Sequence, residues 1–176
     1  MSEASTQPVR EMEPATPAGV LYFPVSLTKL LVMSLCTFGL YQPFWLFSQW
    51  YYVKEREDQT ISLLSRVFFA IFFCYPLFRR IRATATAQNI SPTFSPIGCA
   101  AGWIIFILLS ASPLFLVSAF SVLFLLPVQR TVNAINLAAD PGHDPNSTFT
   151  VLNKAAIVIG GLVWLFAIVG LIVSKK

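Results

Sequence analysis

The loop Asp140-Pro141-Gly142-His143-Asp144-Pro145-Asn146 gathers the densest set of metal-binding side-chain types in the chain. Its carboxylates, imidazole and amide could hold a divalent cation. The spacing is not that of a calcium loop, however, and no distal Glu completes the set. Pro141, Gly142 and Pro145 account for the same stretch as turn chemistry, so no metal is assigned. His143 is the one histidine, which argues against a relay of protons between imidazoles. Cys36, Cys74 and Cys99 each lie in an apolar stretch, without Cys-x-x-Cys spacing or a neighbouring histidine, and read as small buried hydrophobes.

Catalytic patterns are missing from the sequence. It has no His-Glu-x-x-His, no Gly-x-Ser-x-Gly and no phosphate-binding loop. No acidic residue falls within an expected apolar core, whereas intramembrane carboxylates are the usual mark of proton- or cation-coupled transport. No catalytic residue and no cofactor are therefore expected.

Three constellations point instead to contacts. Arg79, Arg80 and Arg82 close an apolar stretch and are candidates for anionic-lipid contact. Thr37, Gly39, Tyr41 and Trp45 form an elbow: Gly39 permits a tight turn, while Tyr41 and Trp45 offer amphipathic rings to a membrane interface. Gly98 and Gly102 make a Gly-x-x-x-Gly pair, and Ala156 and Gly160 give the last apolar stretch a comparable smooth face. Such faces pack helices, either inside one chain or between two.

These residues must be carried by apolar helices. Residues Ala155 to Val173 contain no charge, enough to cross a bilayer core of ~30 Å as a helix. The expected fold is all-α, a multi-pass membrane bundle with segments at about 26–53, 61–78, 97–111, 113–139 and 154–173. The first is expected to break between Gly39 and Gln42, ahead of Pro43. The second carries Arg66, so it either snorkels that side chain or lies shallow. The uncharged run Ile97–Val128 is too long for one straight crossing, and the repeated Ser-Pro starts at Ser95-Pro96 and Ser112-Pro113 favour a hairpin over one kinked helix. After it, Gln129, Asn133, Asn136 and Asp140 recur at helical spacing opposite Val132, Ile135 and Ala139, an amphipathic helix end leaving the membrane.

Residues 1–20 carry three Glu and three Pro without an apolar core and read as a disordered tail preceding one membrane domain, 21–176. The 56% hydrophobic and 11% charged composition suits a membrane unit rather than a soluble domain. The net charge of +4 has no stripe along one face, so nucleic acid is not a partner. Charge counting favours a cytoplasmic loop for Arg79 to Arg82 and does not fix the side of the C-terminus.

The residues Phe23, Val25, Ser26 and Lys29, then Thr37-Phe38-Gly39-Leu40-Tyr41 and Phe44-Trp45, resemble the opening of a family of small prokaryotic integral membrane proteins, domain of unknown function 4234. Pro127-Val128-Gln129-Arg130 with Asn133 and Asn136 is similar to a later stretch of some members. The resemblance implies a multi-pass protein of the prokaryotic cytoplasmic (inner) membrane and carries over no site residue. The expected function is non-enzymatic: a structural or interaction protein, an immunity protein being one specialised form, with membrane lipids and a membrane protein or a second copy as partners. Alternatives are a small oligomeric channel or transporter lined by Lys29, Gln42 or Gln129, and a lipid-modifying enzyme or subunit.

Overall fold

The computed structural model describes residues 19–57, 60, 62–109 and 115–173. Every regular element among them is helical: α1 Leu27–Cys36, α2 Tyr41–Glu57, α3 Leu63–Phe68, α4 Ala70–Ala87, α5 Pro96–Leu108, a 3-10 stretch Phe115–Phe124 running into α6 Leu126–Ala139, and α7 Val151–Val173.

The first expected segment is not one broken span but two helices folded back on each other. Ser26 caps α1, its hydroxyl accepting from Lys29 N at 3.2 Å. At the other end Thr37 Oγ1 donates to Met33 O (2.7 Å) and accepts from Tyr41 N (3.0 Å), so one hydroxyl closes α1 and opens α2. Between them Phe38 and Gly39 take φ of 52° and 89°, and Gly39 N donates to Ser34 O at 2.8 Å. Two left-handed residues in succession turn the chain back. As a result Arg56, near the end of α2, donates to Leu21 O, just ahead of α1, at 2.8 Å.

The second expected segment divides at Phe69 into α3 and α4. α4 continues past the expected end at 78 because Leu77, Phe78, Ile81 and Ala85 recur at helical spacing and are fully buried. Arg79, Arg80 and Arg82 thus stand on a helix, not in a loop.

Ser95 and Pro96 start α5 as expected, Ser95 Oγ accepting from Gly98 N at 3.3 Å. The Phe106 and Phe124 rings lie 5.4 Å apart, and a Cβ on Gly102 would overlap the Phe124 ring. A straight helix would hold residues 102 and 124 about 33 Å apart. The two arms therefore lie side by side. The turn expected near Ser110–Pro113 falls outside the described residues.

α7 begins at Val151, where Asn153 N donates to Thr150 Oγ1 (3.3 Å) and Thr150 N to Asn153 Oδ1 (3.1 Å). It meets α1 along a short seam: Gly160 lies against the Cys36 carbonyl, Trp164 Nε1 donates to Leu35 O at 2.9 Å, and Trp164 stacks on Phe38. Most of its other side chains are exposed, Phe166 at 72% and Leu152 at 82%.

Two helices, Val117–Ala139 and Val151–Gly170, have the length and apolarity to cross a membrane; α1 and α5 are apolar but shorter. The buried core draws on every element except α3 and α7, which only pack partly buried side chains against it, and Trp45, Trp50, Phe78 and Ile135 are among its largest side chains.

Candidate functional site

An irregular segment, residues 19–26, is largely buried in the bundle. Backbone outside helix or sheet leaves its N–H and C=O groups without regular partners, and burial makes that costly. Here Asn and Gln side chains act as partners. Asn136 Oδ1 accepts from Leu21 N and Tyr22 N (both 3.1 Å) while its Nδ2 donates to Tyr22 O (2.8 Å). Gln49 treats Phe23 the same way, accepting from its N and donating to its O, both at 3.2 Å. Asn133 Nδ2 donates to Val25 O at 3.0 Å, and Gln129 Nε2 to Val25 O at 3.2 Å. Gln129 Oε1 also accepts from Trp45 Nε1 (2.6 Å) and Gln49 Nε2 (3.1 Å).

This corrects two expectations. The polar positions of α6 face inward: Gln129 and Asn136 are 0% exposed, as are Val132 and Ile135. The helical spacing is legible in the sequence, but the amide side chains point to buried backbone rather than to water. Trp45 is likewise no interface anchor, being fully buried with its indole N–H spent on Gln129; Tyr41 is also buried. Thr37 and Gly39 make the turn itself. Val20, within the stretch expected as a tail, packs on Tyr51 and Tyr52; residues 1–18 lie outside the described residues.

The other polar residues are tied within the chain too. Gln42 Oε1 accepts from Trp103 Nε1 (2.7 Å) and Ser121 Oγ (2.8 Å). Lys29, 4% exposed, donates to Asn146 Oδ1 (2.7 Å) and Thr148 O (2.8 Å). The loop of Asp140, His143, Asp144 and Asn146 is pinned by turns, Asp140 Oδ1 accepting from Gly142 N and Asp144 Oδ1 from Asn146 N, while Asn146 Nδ2 donates to Pro24 O. Among the described residues no group of three metal-ligating side chains converges. Cys74 and Cys99 are buried and Cys36 half-buried, all free thiols.

The small residues divide. Gly102 and Gly160 sit at contacts inside the chain, against Phe124 and Cys36, and Ala156 packs on the core. Gly98 is exposed and meets only Ser95 of its own turn, so the pair does not act as one face.

The arginines divide as well. Arg82 Nη1 donates to Phe94 O at 3.0 Å, fastening α4 to the approach to α5. Arg79 is exposed. Arg80 Nη1 pairs with Glu57, which also accepts from Arg56 Nη2 at 3.2 Å. Burial would raise the Glu57 carboxyl, but the hydrogen bonds from Arg80 and Arg56 and their charges outweigh it and hold it below its ordinary value. Beside this pair the Arg66 guanidinium lies 4.0 Å over the Trp50 ring and 5.0 Å over Phe73, and Arg80 lies 6.0 Å over the same indole. The sequence marked Arg66 only as an obstacle to crossing and gave no sign that it meets Trp50.

Comparison with protein-family models, with curated proteins and with solved structures found no match.

Proposed function

We propose that this chain is a non-enzymatic integral protein of a prokaryotic cytoplasmic membrane, a structural or interaction protein working through lipid and helix contacts. One observation carries the membrane reading: α7 is uncharged from Ala155 to Val173 and almost wholly exposed, with Gly160 its one buried position among those described. Water does not tolerate so long a bare apolar run, Ala155 to Val173, whereas a bilayer core is its natural solvent. The scaffold reading is supported by where the interior polar side chains are used. Gln42, Gln49, Gln129, Asn133 and Asn136 bond backbone, one another or the indole and hydroxyl groups of neighbouring helices. The likeness of residues 23–54 to a family of small prokaryotic membrane proteins supports the setting, and partners in it are lipids and a membrane protein or second copy.

The test is extraction. The chain stays with membranes through alkaline carbonate and needs detergent for release; recovery in the carbonate supernatant refutes the proposal. Gly161 offers a finer probe, since nothing lies within 4 Å of a Cβ built there. Gly161→Arg therefore adds charge without a packing clash and impairs insertion, a central Arg costing about 2.5–3.5 kcal/mol on insertion scales.

A further inference from the structure

The geometry points to a binding site for the phosphate headgroup of an anionic phospholipid at Arg66 and Arg80, on the face of Trp50. Three guanidiniums, Arg56, Arg66 and Arg80, gather where α2, α3 and α4 meet, and among the described residues Glu57 is the carboxylate that pairs with them. Glu57 takes Arg56 and Arg80, which leaves Arg66 with rings beneath it and no described acceptor for its donors. Arg80 engages Glu57 through Nη1 alone, so the rest of its fork is open to a second acceptor. Trp50 is itself fully buried, and its Nε1–H finds no acceptor among the described residues. A phosphodiester matches this demand, because its oxygens accept from planar forks and its charge offsets the surplus.

The surroundings choose a lipid over a solute. Phe68 is 84% exposed and Phe72 72%, and Phe69 and Leu64 are also exposed, so the helices and joint that hold Arg66 and Arg80 also carry bare apolar surface. Arg80 also lines a recess with Tyr75, Pro76 and Arg79. Charge beside exposed aromatic side chains is the pattern of the headgroup layer. The sequence placed lipid contact at Arg79, Arg80 and Arg82. The structure moves its centre to Arg66 and Arg80, because Arg82 is committed to Phe94 O.

This inference rests on the membrane reading above, and the two fail separately. The detergent-solubilised full chain is titrated with short-chain phosphatidylglycerol and, in parallel, phosphatidylcholine, and bound lipids are counted by native mass spectrometry. Phosphatidylglycerol is retained preferentially, and Arg66→Gln or Arg80→Gln weakens that preference about tenfold, the scale of one charge-assisted hydrogen bond. Arg130→Gln, exposed on α6, leaves it unchanged. Should Arg66→Gln not fold, Arg66→Lys keeps a cation on Trp50 without the planar fork and shows a smaller loss. Equal retention of both lipids, an Arg66 variant matching the wild type, or an equal loss in Arg130→Gln overturns the site. Displacement of the lipid by inorganic phosphate at matched concentration overturns the lipid as its occupant.

Discussion

Asn136 shows how one side chain can stand in for secondary structure. Its amide accepts from two backbone N–H groups and donates to one carbonyl, all belonging to Leu21 and Tyr22, the two bonds to Tyr22 being buried and the one to Leu21 partly so. Asn136→Ala removes these partners and leaves the backbone groups unsatisfied, at about 1–3 kcal/mol for each buried group so stranded. A marked fall in the thermal unfolding midpoint in detergent is expected. Thr131→Ala is the matched control, since Thr131 bonds only Pro127 O of its own helix and its loss should shift the midpoint far less. The positions of Gln129, Asn133 and Asn136 were legible in the sequence as a helical stripe. What they face was not, because amide side chains suit water and buried backbone equally, and only tertiary packing decides between them.

At the scale of elements, the helices expected from apolar runs were found where a local signal fixed them: Ser95-Pro96 at the start of α5, and Gly39 in the turn after α1. The direction of the chain after that turn was not legible, because it depends on φ at Phe38, a residue whose type gives no hint of a left-handed conformation. The fit between α1 and α7 was half legible. Gly160 was marked as part of a smooth face, but the partner that uses it, the Cys36 carbonyl, is remote in sequence. Two adjacent glycines on α7 make the point testable. Gly160→Ala drives a methyl into the Cys36 carbonyl and forces the helices apart, whereas Gly161→Ala meets nothing and gains helix propensity of roughly 1 kcal/mol. The first variant should unfold at a clearly lower temperature than the wild type and the second at an equal or higher one.

For the whole molecule, hydrogen bonds fix which element ends lie together. Tyr22 Oη bonds Thr84 Oγ1 at 2.8 Å, Asn136 holds Tyr22, and Lys29 reaches Asn146 and Thr148. The end of α4, the end of α6 and the start of α7 therefore share one end of the bundle with residues 19–26. α7 then runs up α1, from the Lys29–Thr148 contact to the stacked Phe38 and Trp164 rings, toward the opposite end. If the end of α4 lies in the cytoplasm, as the positive-inside preference favours, the end of α7 is expected on the other face. Single cysteines at Asn89, His143 and Lys176, in a chain lacking Cys36, Cys74 and Cys99, test this with a membrane-impermeant thiol reagent on intact cells. Only position 176 should react. Labelling at 143 with protection at 176 would reverse the arrangement.

The buried segment 19–26 also constrains when the protein can finish folding. Leu21 and Tyr22 are joined to Asn136, and Val25 to Gln129, across 104 to 115 residues of sequence. The segment leaves the ribosome long before α6 exists, so its backbone must remain hydrated until that helix has been synthesised. Residues 19–26 are among the earliest described residues to be made, yet their clamp closes late. Closure of such long-range contacts is a slow, entropy-limited step. A stall in translation between α5 and α6 would leave the insertion intermediate open at its centre, with Gln49 and the segment facing water together.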